Sequence, residues 1–175
     1  MRCVFILDDN TFLIFEDIRK FGGFYLYNSL DALKLKIGMD PFDVGFTQNW
    51  LIENISRKKR MMKHLLLDQK FICGLGNIYI DEILWASRIH PLRISSTLSN
   101  KEIKLLFLNI ISILKKSIKF HGTTFMNFKF DNMKTGKYKN KLEVYGRVGK
   151  KCRRCFNDIS KTKISGRGTH LCQVC

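Results

Sequence analysis

Near its end the chain reads Cys152-Arg-Arg-Cys155, then sixteen further residues, then Cys172-Gln-Val-Cys175. Two C-x-x-C pairs so spaced suit a tetrahedral Zn2+ site, because each pair can offer both sulfurs to one ion without strain. No histidine or carboxylate stands in ligand register with them. The four thiols therefore read as a closed, structural site for one Zn2+, with no open position for catalysis. The metal folds the segment from Phe156 to Leu171, which carries Lys161, Lys163 and Arg167 in and around a Ser165-Gly-Arg-Gly-Thr169 turn. Arg147, Lys150, Lys151, Arg153 and Arg154 flank it. A basic zinc hairpin is expected at 147–175, and its charge suits a nucleic acid.

Composition points the same way. A formal charge of +16 on 175 residues is an electrostatic footprint for a polyanion, since each neutralised phosphate releases counterions and adds sequence-independent affinity. The charge is unevenly spread. Residues 1–31 hold three basic and five acidic groups, net −2, whereas 119–141 is net +5 and 142–175 is net +6. At 45% hydrophobic, with 14 Phe, the chain can bury a core and a disordered protein is excluded. The N-terminus has no basic region and cleavage site of the secretory kind, and no apolar run reaches the ~18 residues of a membrane span. Cys3 and Cys73 stay unpaired, which suits a reducing compartment: a cytoplasmic, nucleoid-associated protein without a membrane partner.

Working back from the finger, 123–146 is polar, lysine-rich and glycine-punctuated, and reads as a mobile basic loop. Residues 39–122 are helical. Thr47 can cap a helix bearing Trp50, Leu51, Ile52 and Ile55, and a second helix is predicted near Lys59–Asp68. The two-glycine turn Cys73-Gly-Leu-Gly-Asn77 leads into a helix over Ile78–Ser87. The capping box Ser99-Asn-Lys-Glu102 opens a long helix whose stripe is Ile103, Leu106, Ile110, Ile113 and Leu114, ending at His121-Gly122. Residues 1–38 are sheet-like: Val4–Leu7 and Thr11–Phe15 form short strands about the turn Asp8-Asp9-Asn10, and Phe24–Tyr27 is a candidate third strand. Such a hairpin needs a partner layer, so it reads as the remnant of a larger N-terminal β-sandwich. The fold class is α+β.

These segments resemble a known family. The run Leu67-Asp-Gln-Lys-Phe-Ile-Cys-Gly-Leu-Gly-Asn-Ile-Tyr-Ile-Asp-Glu82, followed by Arg88-Ile-His-Pro-Leu-Arg93, resembles the helix-two-turn-helix signature of formamidopyrimidine-DNA glycosylases, the Fpg/Nei family. Asp17-Ile-Arg-Lys-Phe-Gly22 resembles that family's Asp-Pro-Arg-Arg-Phe-Gly loop, with Ile18 for proline and Lys20 for arginine. The finger from Val144-Tyr-Gly-Arg147 to Gly-Arg-Gly-Thr-His170 also fits, and favours the Fpg branch. The match runs in order through essentially the whole chain.

The resemblance implies base-excision repair of damaged double-stranded DNA: excision of oxidised purines with β,δ-elimination at the abasic site. It implies that Arg19, Lys20 and Phe21 form a loop entering the duplex, where an apolar wedge and a guanidinium offset an unstacking cost of a few kcal/mol. A glycine-rich turn at a helix N-terminus exposes N–H donors to an anion, so Gly76 and Asn77 are candidate phosphate contacts. Lys58, Lys59 and Lys63 lie just upstream and reach the same strand, Lys63 matching the family's DNA-contacting lysine. Tyr79 matches a signature position and serves equally well as helix packing. Arg167, between two glycines, can fork onto phosphate oxygens, and the resemblance associates it with the δ-elimination step as the one catalytic candidate here. The 123–146 segment corresponds to the loop covering the flipped base.

One departure qualifies this. Family chemistry uses the secondary amine of an N-terminal proline as nucleophile, with an adjacent glutamate and a lysine from the N-terminal lobe. The prolines here are Pro41 and Pro91 alone, and the chain opens Met1-Arg-Cys3. The expectation is a DNA-gripping protein without its own glycosylase chemistry: a binding-only remnant, or one half of a split enzyme whose N-terminal lobe is separately encoded, and otherwise a monomer. Nothing near Lys63 in the sequence depresses its pKa.

Overall fold

The structure, a computed structural model, describes residues 2–17, 20–34, 36–123 and 136–175, and forms two compact units, residues 1–34 and 35–175. Arg19 and most of the expected basic loop, 124–135, lie outside the described residues.

In the first unit β1 (Arg2–Ile6) pairs antiparallel with β2 (Phe12–Glu16), Arg2 opposite Glu16 and Ile6 opposite Phe12. Asn10 takes a left-handed φ of 62° in the turn, and Asp9 accepts from both the amide and the hydroxyl of Thr11. The candidate strand at Phe24–Tyr27 does not form; residues 21–27 are irregular. Instead the Phe24 ring packs edge-on against Phe5 and Phe15, at 4.6 and 4.8 Å between centroids. Aromatic packing has won over ladder pairing, as β-preference that is really a side-chain packing preference allows. A short helix α1 (Leu30–Lys34) follows, with the Ser29 hydroxyl accepting from Ala32 N.

The second unit is built around α2 (Gln48–Ser56), α3 (Met62–Leu67), α4 (Asn77–Ala86) and α5 (Asn100–Lys119). Thr47 caps α2 by accepting from Trp50 N at 3.1 Å, and Ser99 and Glu102 close a reciprocal capping box on α5. The α5 stripe is buried as its spacing requires, and packs with Leu51, Ile55, Leu65, Ile80 and Ile83 into one core. Helix α3 begins later than the sequence suggests. The Met62 and Lys63 amides donate to Arg93 O and Pro91 O, and Arg60 N donates to the buried Ser95 hydroxyl, so the 91–95 loop takes donors that a longer helix needs. Residues 38–39 lie against 69–73 through Gly38 N to Gln69 O and a parallel bridge from Met39 to Ile72. A Cβ on Gly38 meets the Phe71 carbonyl carbon at 2.5 Å, so this approach demands glycine.

The chain ends in an antiparallel hairpin, β3 (Ile159–Ile164) and β4 (Arg167–Cys172), with Ile164 opposite Arg167. Its two-residue turn, Ser165-Gly166, has φ of 51° and 73°, the doubly left-handed geometry that matches strand twist. Among the described residues no helix is long and apolar enough to cross a membrane.

Candidate nucleic-acid interface

The cysteines come first, because they fix the hairpin. The sulfurs of Cys152, Cys155, Cys172 and Cys175 all lie within 4.8 Å of one another. The separations are 3.7 Å for Cys152–Cys175 and 3.3 Å for Cys155–Cys172, beside about 3.8 Å expected from Zn–S bonds of about 2.3 Å. Outer donors are in place: Arg154 N points to Cys152 Sγ at 3.4 Å and Asn157 Nδ2 to Cys155 Sγ at 3.6 Å, the pattern that stabilises metal-bound thiolates. The four residues can hold one structural zinc ion.

Helix α4 is the wall against which this finger is built. Trp85 packs on the cluster of Val144, Cys152, Ile159 and Cys172, its ring stacked under the Arg154 guanidinium at 4.1 Å, while its carbonyl accepts from Arg154 Nη2. Glu82 is buried and accepts three backbone N–H bonds, from Glu143, Val144 and Tyr145 at 2.7, 2.9 and 2.8 Å. Burial pushes its pKa up, and the three donors pull the other way. Nearby, burial and then the Glu82 charge push the Tyr138 phenol up to about 12. Asp81 accepts His170 N at 2.9 Å and pairs with Lys63. Asn77 Nδ2 donates to Gly168 O at 2.9 Å, which brings the N-terminus of α4 beside the Arg167 turn.

An open groove of about 490 Å3 lies between α3 with its following loop and the 165–167 turn, lined by Arg60, His64, Leu67, Asp68, Lys70, Ser165 and Arg167, with Arg60 ion-paired to Asp68 at 2.7 Å. Arg167 is exposed, and its neighbours Gly166 and Gly168 place no side chain on either side of it. Gly76 caps α4 without a side-chain hydrogen bond, at an ordinary φ of −95°, and a Cβ there meets nothing within 4 Å. Neither this chain's packing nor its backbone requires a glycine at that position.

Lys63 departs from expectation. It is 0% exposed, its ammonium committed to Asp81 and to the Asn77 carbonyl, so it is not available at the surface. Burial lowers its pKa, against the pull of Asp81, an environment that no neighbouring residue in the chain foreshadows. The reason is helical phase: Lys63 falls on the inner side of α3 with Met62, Leu65 and Leu66, whereas His64 points outward. Lys59 is exposed, and Lys58 is half-buried with its ammonium 5.6 Å from the Phe71 ring centre. Tyr79 is half-buried: its hydroxyl accepts from Ser117 Oγ at 2.6 Å and faces Thr123 Oγ1 at 3.3 Å. In the first unit, Phe21 is 86% exposed beside Lys20, whose φ is 60°; the loop is closed by Lys20 N to Asp17 O and Gly22 N to Asp17 Oδ2. Arg60, from the basic stretch upstream of the two-glycine turn, lines the groove; His64 and Lys70 escaped the sequence, and only the α3 phase and the 165–167 turn reveal them.

Comparison with known proteins agrees with this architecture. Residues 37–129 match the family described as the formamidopyrimidine-DNA glycosylase H2TH domain, and 149–175 match the zinc finger found in FPG and IleRS. The chain is 38% identical over 175 residues to the formamidopyrimidine-DNA glycosylase of Halalkalibacterium halodurans, covering 98% of this chain and 64% of that protein. It is 42% identical over 168 residues to the one from Lactococcus lactis subsp. cremoris, covering 93% and 61%. The chain thus spans just under two thirds of these relatives. Among solved structures, the complex of Lactococcus lactis Fpg with DNA containing an abasic site superposes with a TM-score of 0.83 at 40% identity, covering 93% of this chain and 61% of that one. Thermus thermophilus MutM (Fpg) gives 0.86 at 28% identity, covering 98% and 66%. A helix-two-turn-helix unit joined to a four-cysteine finger, with relatives at this identity, places the chain in the Fpg/MutM family of formamidopyrimidine-DNA glycosylases.

Proposed function

We propose that this chain grips damaged double-stranded DNA in base-excision repair, as the recognition part of an Fpg-type glycosylase. One observation carries the reading: the Asn77 side chain bonded to Gly168 O brings the N-terminus of α4 beside the Arg167 turn, which itself opens on a groove carrying Arg60 and Lys70. Unpaired amides at a helix N-terminus attract a phosphate, and an exposed arginine can fork onto its oxygens. The open space above Gly76 leaves room for a phosphate close to the backbone. Lys70 adds a cation to the lining, a role Lys63 cannot share from its buried position. Lys59 and Lys58 lie farther along the same segment and contribute through longer-range attraction.

In the first unit the Asp17–Gly22 loop presents Phe21 as the apolar wedge, with Lys20 and Arg19 as its cationic partners. Arg167, by holding a phosphate, is placed to stabilise charge on it as it departs in δ-elimination. Excision of oxidised purines with β,δ-elimination is the activity proposed for the full-length architecture; for these residues the proposal is recognition. A site on or near the nucleoid follows from that role.

A second reading has its own observation. Val4, Phe5, Ile6, Leu7, Phe12, Leu13 and Ile14 of the hairpin are 37–70% exposed, a patch that soluble surfaces rarely leave open. It suits a further β-layer, such as the separately encoded lobe of a split enzyme.

Fluorescence polarisation of a labelled abasic-site duplex, titrated at several salt concentrations, tests the groove. Arg167→Ala is expected to weaken binding about tenfold and to lower the slope of log K against log salt by about one, and Asn77→Ala to weaken it as well. Unchanged affinity in both variants removes the groove assignment.

A further inference from the structure

The edge of β4 that faces α4 is paired as if to another strand. Gly168 O accepts from Asn77 Nδ2, and two residues on, His170 N donates to Asp81 Oδ2, both at 2.9 Å. Asn77 and Asp81 stand at i and i+4, on one face of α4. A donor and an acceptor on that face thus meet an acceptor and a donor on alternate residues of the strand, as the next strand of a sheet does. The other Asp81 oxygen takes the Lys63 ammonium, which also reaches Asn77 O at 3.5 Å, and His170 Nδ1 lies 3.4 Å from Oδ2. Asp81 is 1% exposed.

Stability is a poor reason for this arrangement. Removing a carboxylate and an ammonium from water is costly, and well-packed apolar residues of similar volume often serve as well or better. What an apolar pair cannot supply is a register. Arg167 begins β4, three residues before His170, and sits in a turn where Gly166 has a φ of 73° and where neither Gly166 nor Gly168 carries a side chain to restrain it. Toward the Arg167 end of β4 the bonds at 168 and 170 tie the strand to α4, while the packing of Trp85 on Cys172 acts at its far end.

Resting on the reading of Arg167 as a phosphate contact, we infer that Asp81 is a positioning residue of the DNA grip. It locks the register of β4 on α4 so that the Arg167 guanidinium meets the same phosphate as the N-terminus of α4, and Lys63 is the counter-charge that keeps Asp81 in place. Lys63 therefore serves DNA binding from the interior. An error of about 1 Å in such placement is enough to cost up to a hundredfold in function.

The test separates holding the fold from aiming the arginine, using the zinc-loaded chain and the abasic-site duplex. Asp81→Asn alone confronts either His170 N or Lys63 with an amide donor, and is expected to weaken binding about tenfold, the worth of one charge-assisted contact. Asp81→Asn with Lys63→Met frees the amide oxygen for His170 N and is expected to restore affinity to within about twofold. Asp81→Leu with Lys63→Met fills the space but removes the clamp. It is expected to keep one zinc per chain and a melting temperature near wild type, yet bind about tenfold more weakly with a salt slope lower by about one. Adding Arg167→Ala to it then has no further effect. The inference is overturned if the Leu/Met pair binds like wild type, if Arg167→Ala costs the same in that background as in the native one, or if the Asn/Met pair fails to restore binding. If Arg167→Ala alone leaves affinity unchanged, the phosphate reading and this one fall together. If only the clamp variants are silent, this one alone falls.

Discussion

Replacing Glu82 by alanine removes the acceptor for three consecutive amides, at 143, 144 and 145, the middle one buried and its neighbours part-buried. An orphaned buried donor costs about 1–3 kcal/mol and a part-buried one less, so the gross loss is about 3–6 kcal/mol. Against it stands the desolvation of the carboxylate itself, large enough that burial raises its pKa despite the three bonds. Relief of that penalty returns part of this, leaving a net loss of about 3 kcal/mol. For a domain of this size that is roughly 6–12 °C in melting temperature. Glu82→Gln is the informative companion: its carbonyl oxygen can still accept from Val144 and Tyr145, which share one oxygen in the native site, its amide nitrogen leaves only the Glu143 N–H without an acceptor, and it carries no charge to desolvate. Its cost is expected at about 1 kcal/mol. Because the folded pKa is raised, this group contributes most below its ordinary value of 4.5 and loses that contribution as pH rises through the folded value. The penalty for Glu82→Gln is therefore smallest at neutral pH. Urea unfolding of the zinc-loaded protein gives the energies, and hydrogen exchange at 143–145 gives the location. Alanine within 1 kcal/mol of wild type, or glutamine worse than alanine, refutes the reasoning.

Two further outcomes can be checked directly. Metal analysis should find one zinc per chain, and a strong chelator should abolish duplex binding while leaving most helical circular dichroism, because the helical core of Leu51, Ile55, Ile83 and Ile110 shares no residue with the finger cluster; zinc-free protein that binds like the holo form contradicts this. On α5, Glu102→Ala should cost about 0.5–1 kcal/mol at pH 7, modest because the capping pair is exposed. Bonds from the Ser99 amide and hydroxyl hold the Glu102 pKa below 4.5, so its stabilisation is present above that value and lost as pH falls through the folded one. Wild type and variant should converge in acid, and a gap that persists there removes the capping box as its cause.

Much of this was legible in the residues because it is set locally. Four cysteines in two pairs, a Ser-x-x-Glu box and a 3.6-residue apolar stripe each state their geometry within a few positions. Lys63 was not legible. Whether a lysine in Arg57-Lys-Lys-Arg60-Met-Met-Lys63 faces water depends on where α3 starts, and that start is set by amide bonds to a loop some thirty residues later. Asp81 escaped for a related reason, and of Glu82 only its match to a signature position was legible. On a helix that reads as mostly apolar they look like solvent-facing acids, and their backbone partners lie 61–89 residues away. The strand at Phe24–Tyr27 failed because aromatic composition reports a wish to pack, which Phe5 and Phe15 satisfy without a ladder.

Zinc fingers are often moved between proteins as portable cassettes, and α4 sets a limit on that here. Residues 147–175 carry all four ligands and both strands, yet one edge of the hairpin and one side of the metal cluster are finished by Asn77, Asp81 and Trp85 from another part of the chain. A transplant that takes the cassette and leaves the helix carries the metal site and abandons the aim. For anyone grafting or redesigning this finger, the smallest unit worth moving includes α4 and reaches back to Lys63 on α3, the partner of Asp81, rather than beginning at Cys152.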